Sequence, residues 1–268
     1  MVRRYELTDE QWSQLAPLLP PQRPHTGRPS LDHRTVLNGI LWVKRSGSAW
    51  RDLPERYGNW KTVSSRFYRW QQQGIWAELL TRVQEHADHA SKVDWEIQMI
   101  DSTIIRAHQS AAGAKKRGGD KALGRSQGGF STKIHLKCDG KGRPMAFLLT
   151  AGQRHEMLMF EALLDVGKIK RRSRGRPRLR PTFVLADRAY SGEKAHRLCC
   201  RRGIRLVVPP KRDHNRPRSY DRGLYRKRNV IERLVGRLKR SRRIATRFEK
   251  RACYYEAMVT IACLMEWL

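Results

Sequence analysis

The sequence predicts an α/β protein in two parts, an all-helical first part over residues 1–92 and a mixed-sheet domain over residues 93–268. Three observations carry this. Apolar residues recur at helical spacing through the first part. From residue 96 onward, short runs rich in Ile, Val and Leu alternate with helical stretches. The charge changes at the same place: residues 1–100 hold 14 Lys and Arg against 11 Asp and Glu, whereas residues 101–268 hold 42 against 14.

In the first part, Thr8 is placed to cap LTDEQWSQLAPLL, with Gln11 at the capping-box position and Trp12, Leu15, Leu18 and Leu19 on one face. After a Pro/Gly-rich break, Val36, Leu37, Ile40, Leu41 and Val43 form a second helical stripe that stops near Gly47. A short element, WRDLPERYG, leads through the turn Gly58-Asn59 into a helix with Val63, Phe67 and Trp70 at helical spacing. Its other faces carry Lys61, Ser64, Ser65, Arg66 and Arg69. Helix, short helix, tight turn, helix is the order of a helix-turn-helix unit, and a plain helical bundle shares it. Trp76 to Ala90 reads as one more helix, with His86 and His89 on its surface, and the Trp-rich first part reads mainly as core.

The second part begins with EIQMIDSTIIRAH, a strand with core Ile97 to Ile100 that ends in Asp101-Ser102-Thr103. A Gly/Lys segment over 110–129 reads as flexible, and residues 130–152 read as a hairpin turning at DGKG. A helix over 156–166, a basic arm over 168–180 and the strand PTFVLADRAYSG follow. Then come a helix with Ser191 as N-cap, a strand over 204–210, and helices over 222–243 and 251–268. That order matches a ribonuclease H-like sheet, among several mixed sheets that share it.

The 268 residues carry 56 Lys and Arg against 25 Asp and Glu, a net charge of +31, which calls for a polyanionic partner, nucleic acid before anionic membrane. No apolar run approaches the roughly 20 residues of a membrane helix. The start MVRRYELTDEQW has no secretory pattern. The five cysteines show no metal-ligand spacing, and Cys199-Cys200 reads as packing within a helix. The cysteine pattern fits a reducing cytosol, the compartment expected for this chain.

Acids are scarce in this basic half, so their positions are informative. Asp101 and Asp187 each follow the apolar core of a strand, where a side chain can leave a sheet at its carboxyl edge. Glu232 lies in the helix YRKRNVIERLVGRLKRSRR. At about 100° per residue, Tyr225, Arg228, Glu232 and Lys239 fall within an arc of about 60°, between an apolar stripe and a basic face. Intrahelical ion pairing is the plain alternative for Glu232. Three carboxylates in a basic surface suit divalent-metal chemistry on a phosphodiester. His108, seven residues after Asp101, reads as a satisfied histidine outside the site.

The segments MIDSTIIRAH and VLADRAYSG, and the string Tyr225-x2-Arg228-x3-Glu232-x6-Lys239, resemble the signature of bacterial DDE transposases, of the "insertion sequence five" branch. The flanking stretches LTDEQW, RPSLDHRTVLNGILWVKRSGSAWRDLPERYG and SAAGAKKRGGDKALGRSQGGFSTKIHLKCDGKGRP extend the resemblance over nearly the whole chain. It implies a ribonuclease H-like core in which Asp101, Asp187 and Glu232 hold two Mg²⁺ or Mn²⁺ ions. Arg228 and Lys239 would contact DNA near the cleaved end, with Tyr225 stacked on or bracing it. Lys61, Arg66 and Arg69 belong to the helix expected to bind the element's terminal inverted repeats. Water would release 3′-hydroxyls that attack target DNA, within a dimer or larger assembly on double-stranded DNA in the bacterial cytoplasm, at the nucleoid. Two rival readings remain at this point: a metal-dependent nuclease or resolvase of the same fold without strand transfer, and a non-catalytic basic DNA-binding protein.

Overall fold

The computed structural model describes residues 4–22, 30–112, 122–171, 175–211 and 218–268. It divides into two compact units that do not follow a single cut at residue 92. The first comprises the described residues within 1–83, 108–117 and 238–268, and the second those within 84–107 and 118–237.

In the first unit, α1 (Asp9–Leu15) opens on the expected capping box: Gln11 N donates to Thr8 Oγ1, and Thr8 N donates to Gln11 Oε1. The α-helix is shorter than the sequence pattern because Pro17 turns the next three residues into a 3₁₀ turn. Helix α2 (His33–Ser46) is capped by Asp32 and ends at Gly47. Two 3₁₀ turns and the Asn59 cap then lead into α3 (Trp60–Gln72), followed by α4 (Ile75–His89). Val36, Ile40, Val63, Phe67, Trp70 and Trp76 are all buried, and Trp70 meets Trp76 edge-on at 5.2 Å between ring centroids.

Helix α10 (Ala252–Met265) belongs to this unit rather than to the sheet. Buried from Ala257 through Leu264 without a polar stripe, it must be surrounded on all sides. Gly47 sits at φ +75°, and a Cβ there would meet Arg242 Cβ at 2.8 Å. Gly47→Ala is therefore expected to cost about 2 kcal/mol from left-handed strain alone, read as a lower urea midpoint.

The second unit is a mixed sheet. Strands β1 (Ile97–Ala107), β3 (Gly129–Asp139) and β4 (Pro144–Ala151) form an antiparallel meander, edged by short β2 (Gly124–Ser126). On the other side of β1 lie β5 (Phe183–Leu185) and β6 (Arg205–Val207), both parallel to it in turn. Helices α5 (Met157–Asp165) and α6 (Glu193–Arg201) cover one face, through Phe160, Leu163, Ala195 and Leu198 against Ile100 and Val184.

Several expectations change in detail. Part of the segment read as flexible is ordered: Gly124–Ser126 pairs with β3, while residues 113–121 lie outside the described residues. The basic arm closes on itself through Ile169 and Arg178, its residues 172–174 also lying outside. Ser191 does not cap α6; its hydroxyl donates to Arg188 O, and Gly192 takes the cap position. The helix expected over 222–243 is three pieces, α7 (Arg222–Arg226), α8 (Asn229–Lys239) and α9 (Arg242–Ala245), so the arc drawn through Tyr225 does not hold as one helix. All five cysteines are free thiols. Among the described residues no helix is long and apolar enough to cross a membrane.

Candidate active site

Strand pairing brings the two aspartates together. β1 and β5 run parallel with Met99 opposite Leu185, and Asp101 and Asp187 each follow two residues later. Side chains alternate across a strand. Asp187 keeps an extended backbone beyond the end of β5, so both carboxylates fall on one face at one level. The strand expected to end in Asp101-Ser102-Thr103 runs further. β1 continues to Ala107 because β3 pairs with it as far as Arg106 opposite Ser131. The carboxyl edge at Asp101 exists because β5 is short, not because β1 stops.

Asp187 Oδ1 accepts from Ala189 N at 3.0 Å and so caps a single 3₁₀ turn, Arg188–Tyr190. Arg228 lies in the break between α7 and α8, where its backbone N–H bonds Tyr225 O. Its guanidinium bridges two members of the expected triad: Nη2 donates to Asp101 Oδ1 at 2.9 Å and Nη1 to Glu232 Oε1 at 2.6 Å. The Asp101 and Arg228 side chains are 17% and 11% exposed, whereas Glu232 is 55% exposed.

Burial pushes the Asp101 carboxyl up to about 6, with Arg228 opposing and Asp187 and Glu156 adding to the rise. Asp187 is raised by burial and then by Glu156, again against Arg228. Burial works against the charge on Arg228, but Asp101, Tyr225, Asp187 and Glu232 together raise its pKa. The site thus concentrates negative charge that one guanidinium compensates only in part.

The donor chemistry fits a hard divalent cation: oxygen ligands only, paired across adjacent strands. The hydroxyl of Tyr190, which closes the turn after Asp187, is buried without a hydrogen-bond partner among the described residues, beside the same carboxylates. The fit is of the aspartate pair. Among the described residues no three His, Cys, Asp or Glu side chains close around one cation position, since Arg228 stands between Asp101 and Glu232.

Of the remaining expected residues, Tyr225 is half-buried, edge-on to Tyr220 at 5.6 Å, and interacts electrostatically with Arg228 and Asp187. Lys239 closes α8 and falls in the first unit. On α3, Lys61 and Arg69 are exposed. Arg66 is half-buried: Nη1 donates to His33 Nδ1 at 2.8 Å, and the guanidinium lies 5.6 Å from the Trp70 ring centroid. Ser64, read as outward, is buried on Lys61 O. His108 caps a 3₁₀ turn through Ser110 and stacks near Phe248, so its ring is used locally.

Sequence reasoning missed Glu156, which accepts from Ser102 and Lys133 near the aspartates. The available signal was an acid, rare in this half, immediately before a helix that follows a strand.

The second unit has the mixed sheet of a ribonuclease H-like fold, with Asp101 and Asp187 at one level of two adjacent parallel strands. Residues 96–267 match the family described as "Transposase DDE domain", and residues 7–80 match "Putative transposase of IS4/5 family (DUF4096)". The chain belongs to the DDE transposases, enzymes of DNA transposition whose family implies use of a divalent metal.

An uncharacterized protein, y4sN, from Sinorhizobium fredii is 42% identical over 42% of this chain and 86% of its own length. A "Putative transposase for insertion sequence element IS402" from Burkholderia cepacia is 33% identical over 50% of this chain and 61% of its own length. Among solved structures, the piggyBac transposase synaptic complex with hairpin DNA aligns with a TM-score of 0.44 at 11% identity. That alignment covers 97% of this chain and 72% of the other.

Proposed function

We propose that the Asp101–Asp187 pair is the centre at which this transposase cuts the ends of its element and joins them to target DNA. The observation that carries the reading is the parallel register that sets the two carboxylates side by side, each with raised proton affinity. Asp101 and Asp187 would hold Mg²⁺ or Mn²⁺, two ions in the working complex, with Glu232 joining them once Arg228 has let go. Such ions supply activation of the attacking oxygen and stabilisation of the leaving oxygen.

Arg228, released from the acids, would take a phosphate near the cleaved end, with Tyr225 bracing the strand and Lys239 a further contact. In the first reaction water attacks the phosphodiester, leaving a 3′-hydroxyl on the element and a 5′-phosphate on the other side. In the second, that 3′-hydroxyl attacks a target phosphodiester and expels a target 3′-hydroxyl, so no bond to protein is needed. Residues 1–92 would act as the reader of terminal inverted repeats, with Lys61 and Arg69 reaching the DNA backbone and Arg66 bracing their helix through His33. Residues 93–268 would carry the reaction. Two ends in one reaction call for a dimer or larger assembly, working in the bacterial cytoplasm at the nucleoid.

Incubating the full chain with a labelled element end and Mg²⁺ tests the first reaction. Cleavage leaving a 3′-hydroxyl, absent in EDTA, is expected; no cleavage with Mg²⁺ or Mn²⁺ would overturn the reading. Binding is expected to weaken steeply with salt, with a log–log slope of about −0.9 per phosphate neutralised. A flat salt response in a filter-binding titration would contradict the role given to the basic surfaces.

A further inference from the structure

Glu156 stands immediately before α5 in helical backbone conformation, yet its carboxylate caps none of that helix's amides. It turns toward the sheet instead. Oε1 accepts from Ser102 Oγ at 2.5 Å and from Lys133 Nζ at 3.4 Å. Lys133 also donates to Arg154 O at 2.9 Å, so the ammonium ties the loop before α5 to β3. The Lys133 and Glu156 side chains are 9% and 24% exposed.

Ser102 is the residue after Asp101, and it lies opposite His135 on β3 while Asp101 lies opposite Leu136. The two side chains therefore leave opposite faces of β1, and Glu156 grips the strand from behind the residue that carries the carboxylate. A second, independent observation comes from Tyr190. Its ring packs on Phe160 of α5 at 5.1 Å, and its hydroxyl is buried without a hydrogen-bond partner among the described residues. That hydroxyl feels Glu156, Asp187 and Asp101, with Glu156 the strongest of the three. A third carboxylate beside two others raises the cost of an empty site, and a divalent cation relieves that cost.

We propose that Glu156 is a positioning residue of the divalent-cation site: by holding Ser102 it fixes the stretch of β1 that presents Asp101, and it adds its charge to the Asp101–Asp187 pair. The role rests on the reading of that pair as the metal-binding centre. It makes Ser102, Lys133 and Glu156 a supporting layer, of the kind whose loss typically lowers metal affinity tenfold or more.

Mn²⁺ binding to the full chain without DNA, followed by the electron paramagnetic resonance signal of free Mn²⁺, reads this directly. Glu156→Gln keeps an oxygen acceptor for Ser102 and Lys133 but loses the charge, and is expected to weaken Mn²⁺ binding about tenfold in a protein that keeps the wild-type circular dichroism spectrum. Glu156→Asp is expected to recover part of that affinity. Asp187→Asn should remove high-affinity binding altogether. Unchanged Mn²⁺ affinity in Glu156→Gln beside loss in Asp187→Asn would overturn the role of Glu156 alone. Unchanged affinity in both would overturn the metal reading of the aspartates. If Glu156→Gln fails to fold, Ser102→Ala removes the gripped hydroxyl and leaves every charge in place; weaker Mn²⁺ binding is expected, and wild-type affinity would overturn the proposal.

Discussion

Asp187→Asn is expected to abolish Mg²⁺-dependent cleavage of the element end, lowering its rate by a factor of about 10³ or more, while DNA affinity stays within about twofold of wild type. The magnitude follows from the several kcal/mol that a metal-assisted displacement draws from its cations. Each tenfold in rate corresponds to about 1.36 kcal/mol. The fold should tolerate the change. Asn preserves the shape of the side chain, and its amide oxygen can still accept from Ala189 N, the bond that caps the Arg188–Tyr190 turn. DNA affinity should persist because it resides in cations spread over the chain, among 56 Lys and Arg. Gel-shift and cleavage assays on the same preparation separate the two. Cleavage at the wild-type rate would remove Asp187 from the active site.

The second large effect is expected at Arg228. Its guanidinium is the one cation hydrogen-bonded to both Asp101 and Glu232 among the described contacts. The contact to Glu232 is half in solvent and contributes little. The contact to Asp101 is mostly buried, so removing its charge strands a carboxylate. Arg228→Gln is expected to cost about 3 kcal/mol in EDTA. Saturating Mg²⁺ should restore much of this, since a ligand at about 100 times its dissociation constant adds about 2.7 kcal/mol. The variant should therefore respond to Mg²⁺ more strongly than wild type, where the guanidinium would compete with the metal for Asp101. Urea denaturation with and without Mg²⁺ checks it, and an equal Mg²⁺ response in the two proteins would show that they do not compete.

The pH dependence has a definite sign. Asp101 titrates at about 6 in the folded chain, above its ordinary 3.8. The stability it contributes is fully present below the ordinary value and lost as pH rises through 6. A bound divalent cation favours the ionised carboxylate, so Mg²⁺ is expected to raise the melting temperature more at pH 8 than at pH 5. That difference should vanish in Asp101→Asn.

Much of the site was legible because strands advertise their ends. The apolar runs before Asp101 and Asp187 are short and buried, and two scarce acids after them stand out in a half of the chain dominated by Lys and Arg. What the pattern does not carry is pairing. A run of Ile, Ser and Thr after Asp101 does not reveal that β3 prolongs β1 to Ala107, because extension depends on a partner strand distant in sequence. Periodicity likewise treats residues 222–243 as one helix, whereas turns at Lys227–Arg228 and near Ser241 divide it. The contact of Arg228 with Glu232 survives that break because both lie close to the start of α8, one helical turn apart. The division into units was the least legible feature. Helix α10 carries no label for the partner that buries it, and only the folded chain places it with the N-terminal helices. Glu156 was missed because its partners, Ser102 and Lys133, lie far earlier in the chain.

The most direct test supplies a pre-cleaved element end bearing a 3′-hydroxyl, supercoiled plasmid and Mg²⁺ to the 268-residue chain, and measures covalent joining of the labelled strand to plasmid. Joined product is expected with wild type, none with Asp187→Asn at equal DNA occupancy, and none in EDTA. Joining that survives Asp187→Asn, or a wild-type protein that cuts element ends but never joins them, would contradict a single aspartate-centred site that performs both reactions.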